Sequence, residues 1–253
     1  MILLLGGTRE SRDIARELQK GNQRFVISTA SAYGGQIASQ DFDNVLSKTL
    51  NYQELVDFCK AYKIDVIIDA THPFAINIST NAMAVCKKLK INYLRFERQS
   101  NPITPQEPYI KIVHSIEEAV QLADKIGNRI LLTIGTRLLK HFGSLIATKE
   151  IFARVLPDIS SLETCFSIGL LPKNIIAAQG PFSVEFNKIL ITEKKIDVVV
   201  TKNSGEIGGL ESKICACSSL HRTLIIIEKP RIEYPCQITD LNDLHIYLQE
   251  VKE

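Results

Sequence analysis

No stretch of the chain approaches the ~18 consecutive apolar residues that a membrane-spanning helix needs, so no membrane association is expected. No sign of charge dominates either. Against 30 Lys and Arg stand 28 Asp and Glu, a formal net charge of +2, which gives no general pull toward nucleic acid. The six cysteines (Cys59, Cys86, Cys165, Cys215, Cys217 and Cys236) are scattered and mostly fall in apolar patterns, where a thiol behaves as a small buried hydrophobe. The chain opens on the strand-like run Met1 to Leu5, too short for a secretory h-region and lacking a basic n-region. Disulfides are therefore not expected, and a cytoplasmic location is. Metal chemistry lacks support: the five histidines show no ligand spacing, and Cys215 and Cys217, two apart on a helix, point to different sides. There is no nucleophile elbow, no P-loop, no low-complexity tract and no short repeat.

What is present is ordinary globular composition, 45% hydrophobic and 23% charged, in which two kinds of segment alternate. Short aliphatic runs read as buried parallel strands: Ile2–Leu5, Phe25–Thr29, Val66–Ile68, Arg129–Ile134, Ile175–Ala178, Val198–Val200 and Leu224–Ile227. Between them lie amphipathic stretches. One carries Ile78, Ala82, Val85 and Leu89 from a start near Phe74, and another opens with Ser115 and Glu118 in capping-box register and stops at Gly127. The alternation predicts an α/β fold with parallel sheets covered on both faces. The segment from Gln99 to Pro108, with three prolines, reads as a linker that divides the chain into domains 1–100 and 101–253. A single sheet crossed by one long loop is the alternative.

Ligands of such folds bind where strands end and helices begin. The first such loop, Gly6-Gly7-Thr8-Arg9, lets backbone approach a pyrophosphate at a helix N-terminus, with Thr8 placed to cap the helix and donate to phosphate; a plain strand-to-helix turn is the alternative. Its spacing departs from G-x-G-x-x-G. The second strand ends in Ser28, Thr29 and Ser31 before Gly34-Gly35, with no acidic residue for ribose hydroxyls; hydroxyls, with Arg9 or Arg12 close by, suit a 2′-phosphate and tilt the cofactor toward NADPH, NADH remaining possible. The third loop, Asp69-Ala70-Thr71-His72-Pro73-Phe74-Ala75, offers Asp69 to accept loop N–H groups, Thr71 or His72 as a cap, and His72 as a candidate proton donor or a structural histidine. Further on, Gln179-Gly180-Pro181-Phe182-Ser183 and Thr201-Lys202-Asn203-Ser204-Gly205 form a second anion-receptive edge at strand ends taken to be neighbours.

These five elements, Gly6-Gly7-Thr8, Asp69 through Ala75, Tyr93 through Arg98, Gly180 through Ser183 and Thr201 through Gly205, together resemble the precorrin-6A reductase and cobalt-precorrin-6A reductase family over nearly the whole chain. Gln99 departs from the proline expected after Glu97-Arg98. The resemblance implies two Rossmann-like domains with a cleft between them, and hydride transfer from a reduced nicotinamide nucleotide to a ring double bond in corrin synthesis. It further implies that Gly6, Gly7, Thr8 and Arg9 line the pyrophosphate, that Asp69, Thr71, His72 and Phe74 sit by the nicotinamide or the macrocycle rim, and that Gly180, Pro181, Phe182, Ser183, Lys202, Asn203 and Ser204 face the substrate. An anionic tetrapyrrole needs scattered cations, for which Arg95, Arg98, Arg137 and Lys202 are the candidates. Hydride transfer needs no nucleophile, which agrees with the missing triad. A nucleotide-dependent transferase and a dinucleotide-sensing regulatory protein are the competing readings.

Overall fold

The computed structural model describes residues 1–97, 108–203 and 208–250. It divides into two compact units, Met1–Gln99 with Arg231–Glu253, and Ser100–Pro230. The first begins β1 (Ile2–Leu5), α1 (Arg9–Lys20), β2 (Phe25–Thr29), α2 (Ala32–Ala38), β3 (Val45–Ser47), α3 (Tyr52–Ala61), β4 (Val66–Asp69), α4 (Ile76–Leu89) and β5 (Asn92–Phe96). The second runs β6 (Ile110–Val113), α5 (Ile116–Ile126), β7 (Arg129–Thr133), α6 (Thr136–Leu139), β8 (Glu150–Val155), α7 (Ile159–Ser167), β9 (Ile175–Ala177), α8 (Val184–Glu193), β10 (Val198–Lys202), α9 (Leu210–Ser219) and β11 (Thr223–Ile227). The chain then returns to the first unit through β12 (Gln237–Ile238) and α10 (Leu241–Glu250).

Each unit holds a six-stranded sheet in which every pairing is parallel, in the orders β12-β5-β4-β1-β2-β3 and β6-β11-β10-β7-β8-β9. Both orders reverse direction once, between β1 and β4 and between β7 and β10. Those switch points are where loops diverge and leave a crevice at the strands' carboxyl ends. The central strands are apolar over most of their length because helices cover both faces, with polar residues such as Asp69 of β4 and Lys202 of β10 at their carboxyl ends. Leu3 and Leu5 of β1 pack with Leu55, Cys59, Ala82 and Val85 on one side. Ile2 and Leu4 pack with Ile14, Leu18, Leu244 and Leu248 on the other. In the second unit Leu131, Phe152, Val199 and Leu224 meet Ile191, Ala216 and Cys217.

Several expectations need correction. Residues 101–253 do not form one domain, because Leu244 and Leu248 complete the first unit's core and β12 extends its sheet. Among the strands missed, β8 is interrupted by charge (Glu150, Arg154), and β3 and β12 are too short to show a period. The third loop is longer than read: α4 starts at Ile76, and Ala75 caps it without any side-chain bond, so neither Thr71 nor His72 is the cap. Ser115 does cap α5, but the Glu118 carboxylate accepts from the His114 amide, 2.9 Å away, one residue before the cap. Finally, β9 and β10 are not neighbours; β7 and β8 lie between them.

Leu244 is fully buried against α1 and β1. Leu244→Ala should therefore destabilise the protein by about 2–4 kcal/mol through lost burial and a residual cavity, which urea unfolding will read as a lower midpoint. An unchanged midpoint would show that the returning helix adds nothing to that core.

Candidate functional site

At the first switch point the loop after β1 is drawn tight. The Gly6 amide donates to Ser28 O at 2.8 Å, and a Cβ on Gly6 would lie 3.0 Å from Ser11 Oγ and 3.1 Å from Ile27. Gly7 takes φ +106°, a conformation that favours glycine, with open space around it. The Gly7 and Thr8 amides both point at Ser11 Oγ, each at 3.2 Å. Thr8 caps α1 by accepting from the Ser11 amide, and its own hydroxyl donates to Ala70 O at 2.9 Å. That bond ties the loop after β1 to the loop after β4, and it takes the proton that the sequence reading assigned to phosphate. Arg9 is exposed at the first turn of α1.

Ser28 and Thr29, read as cofactor hydroxyls, are buried instead, and Thr29 Oγ1 donates to Ser31 O at 3.3 Å. The Gly34-Gly35 pair is a packing feature: a Cβ on Gly35 would fall 1.6 Å from Ser47 Oγ. Ser31 Oγ accepts from the Gly34 amide at 3.0 Å, capping α2.

The loop after β4 stands on Asp69, which has no exposed surface. Its Oδ1 accepts from the Thr71 amide (3.0 Å), the Thr71 hydroxyl (2.7 Å) and Arg95 Nη1 (2.9 Å); its Oδ2 accepts from the Tyr93 hydroxyl at 2.8 Å. Arg95 also bonds Glu97 through Nε and Nη2, at 3.2 and 3.0 Å. Burial, the largest single influence, disfavours its charged form, but Asp69, Tyr234 and Glu97 together outweigh it and raise the pKa. Arg95 is thus no surface donor for a substrate, contrary to expectation, and Asp69 and Thr71 hold the loop from beneath. His72 is half-buried, and its Nδ1 accepts from the Phe74 amide at 3.2 Å, so in the neutral ring Nε2 carries the proton. The uncapped first turn of α4 leaves amides for an anion beside this loop.

At the second switch point Lys202 ends β10 with Nζ over Gly135, whose added Cβ would lie 3.7 Å away. Burial, then Arg137, pulls its pKa down to about 8. Asn203 is buried, its amide nitrogen donating to the Glu228 carboxylate at 3.2 Å. Arg98 and Ser204 lie outside the described residues. Gly180 and Pro181 are exposed, and Ser183 caps α8 by accepting from the Phe186 amide. This loop reaches the other one although their strands are apart: a Cβ on Gly209 would lie 4.0 Å from Pro181. Phe182 stacks on Phe186 at 4.6 Å between ring centres and lies 4.2 Å below the Arg154 guanidinium.

Arg154 and Lys213 went unread in the sequence. Arg154, buried in β8, donates Nη1 to Asn187 Oδ1 at 2.8 Å, and burial lowers its pKa to about 10. Lys213, buried in the first turn of α9, donates to the carbonyls of Gly208 and Gly209 at 2.7 and 3.1 Å; burial, then Arg154, lowers its pKa to about 8. Among the described residues no carboxylate pairs with either. The signal was available for Lys213, since a lysine in a first turn opposes the helix dipole unless something negative faces it. Among the described residues no three His, Cys, Asp or Glu side chains could hold a metal ion, and no helix is long and apolar enough to cross a membrane.

The family model for precorrin-6x reductase CbiJ/CobK matches residues 1–249. The chain belongs to that family. A cobalt-precorrin-6A reductase of Methanocaldococcus jannaschii is 39% identical over 253 residues, 99% of each chain. A precorrin-6A reductase of Rhodobacter capsulatus is 29% identical, over 91% of this chain and 88% of its own. A solved structure of CobK precorrin-6A reductase superposes with a TM-score of 0.81 at 26% identity, covering 99% of this chain and 96% of that one. The precorrin-6x reductases are oxidoreductases of cobalamin biosynthesis that use a reduced nicotinamide cofactor, and this chain is one of them.

Proposed function

We propose that the chain reduces cobalt-precorrin-6A with NADPH, the first unit binding the cofactor and the second the substrate's carboxylates. The observation that carries this reading is the second unit's cationic edge. Arg154 and Lys213 are buried without an acidic partner among the described residues, and Lys202 is held beside Arg137. Cations withdrawn from water without counter-charge favour an anion that supplies it, and a tetrapyrrole bearing several carboxylates does so. The cobalt form is preferred because relatives at 39% and 35% identity carry that name, whereas the Rhodobacter capsulatus relative named for the metal-free form stands at 29%.

The bound nicotinamide supplies a hydride to a ring double bond. For the pyrophosphate, the chain offers the Gly6–Thr8 turn, where the anion displaces Ser11 Oγ from two amides, and the uncapped turn of α4. No acidic residue follows β2 before Ser39, and Arg9 is exposed nearby in sequence to the loop after β1, an arrangement that favours a 2′-phosphate over a bare ribose. His72 Nε2–H is the proton donor of this reading, its tautomer set by the Phe74 amide.

Loss of NADPH absorbance on adding cobalt-precorrin-6A tests the proposal directly. No oxidation with either the cobalt or the metal-free form would overturn it, and equal rates with NADH would overturn the coenzyme preference. Gly7→Ala places an L side chain at φ +106° and should weaken NADPH at least about tenfold, because the turn must re-aim its amides. A fluorescence titration matching the unaltered protein would remove that turn from the site.

Lys202 and Lys213 lose charge near pH 8 when no anion is bound, since burial favours the neutral amine. kcat/KM reports the free enzyme, so for the tetrapyrrole it should fall as pH rises through about 8. Lys202→Ala should lower it by about one to two powers of ten, the worth of one charged hydrogen bond, while the NADPH Kd stays constant. A flat profile to pH 9, or a loss confined to NADPH, would count against the assignment.

A further inference from the structure

Alternate residues of β5 and its continuation, Tyr93, Arg95 and Glu97, carry polar side chains into one buried network with Asp69. The segment that returns from the second unit closes it. The Tyr234 ring lies 5.1 Å from the Arg95 guanidinium carbon and stacks on Tyr93 at 6.3 Å, nearly parallel at 13°. The guanidinium is therefore held by Asp69, Thr71, Glu97 and an aromatic face.

We infer that Arg95 and Tyr234 are positioning residues, which through Asp69 fix the Thr71–Phe74 loop and the aim of the His72 imidazole. The inference rests on the reading that this loop serves the reduction. Residues 70–75 have no regular structure, and the helix that follows has no side-chain cap. At its start the loop is held through Thr71, which meets Asp69 with both amide and hydroxyl, receives Arg95 Nη1 at 3.3 Å and lies 3.5 Å from Ser79 Oγ. Ala70 donates its amide to Leu5 O and receives the Thr8 hydroxyl, and further along the Phe74 amide meets His72 Nδ1 and the Ala75 amide His72 O. Asp69 can keep Thr71 in place only while its own position is fixed, and Arg95 fixes it by spanning Asp69 and Glu97 at once. A lysine's point charge cannot reproduce that fork. Tyr234 in turn restricts the guanidinium to the plane in which both carboxylates are reached.

The test reads the His72 ring nitrogens by 15N NMR, together with kcat and KM, in Tyr234→Leu, Tyr234→Phe and Arg95→Lys. Tyr234 is half-buried and leucine keeps its apolar contacts, so that variant should keep the fold; Arg95→Lys, which loses the fork, should move the His72 signals in the same direction. Tyr234→Leu should move the His72 signals and lower kcat about tenfold, as small misplacements at a reacting centre do, with the tetrapyrrole KM within about twofold. Tyr234→Phe, which keeps the ring and loses only the hydroxyl, should recover most of both. A purely structural network would lower the melting temperature and leave the His72 signals and kcat unchanged, and that result overturns the inference. His72→Gln is measured beside them: full turnover there would sink the loop's role in the reaction, while the ring signals in the other variants still decide the positioning.

Discussion

A carboxylate taken wholly out of water must be matched acceptor site for donor. Asp69 meets that demand with four donors: the Thr71 amide, the Thr71 hydroxyl, Arg95 and Tyr93. Burial pushes the Tyr93 hydroxyl far up in pKa, so it stays a donor. Replacing the pair with well-packed apolar residues would be nearly neutral, whereas removing one partner strands a buried charge at a cost of about 3–5 kcal/mol. The pair is therefore weak as a source of stability and strong as a constraint on geometry. Because Asp69 ends β4 beside the first switch point, the constraint passes to Ala70 and Thr71, and from Ala70 O to Thr8 at the start of α1. Both loops of that switch point take their shape from one carboxylate.

The second unit repeats the order of five of the six strands, with its first strand rather than its last at the remaining edge, and has the opposite electrostatics. Arg154 faces an amide oxygen and a phenyl ring, and Lys213 faces two carbonyls; neither meets a carboxylate among the described residues. Neutral acceptors satisfy hydrogen bonds without cancelling charge, and all three depressed values, at Arg154, Lys202 and Lys213, have burial as their leading cause. Among the described residues, the first edge is thus internally balanced, whereas Arg154 and Lys213 at the second face no negative charge.

The sheets were legible because central parallel strands are apolar on both faces: β1, β2, β4, β7, β10 and β11 stand out as aliphatic runs. Among the strands that were missed, β8 carries a buried cation. Arg154 breaks the run of β8, so missing the strand and missing the residue were a single error. The Gly6–Thr8 and Asp69–Ala75 loops were found from strand ends, but their inner direction was not. Ser28 and Thr29 looked like ligand groups because sequence shows residue type and not whether a side chain turns inward, whereas Asp69 does accept a loop N–H, from Thr71, as its place at a strand end suggested. Nothing local marks Leu244 as belonging to a core some 230 residues away in sequence.

The return of the chain joins two of these features. β12 pairs with β5 through the Arg95 amide on Cys236 O at 2.9 Å and the Glu97 amide on Ile238 O at 3.0 Å. Those are the two residues whose side chains pair with each other in the network, Arg95 reaching on to Asp69, and successive alternate residues of a strand share a face. The ladder that adds the sixth strand therefore also sets which way Arg95 and Glu97 point, and Tyr234, just upstream of it, lands over the guanidinium. Completing the first sheet and fixing the Asp69 loop thus draw on the same two residues, so the segment after Pro230 bears on the loop's geometry as much as on the core.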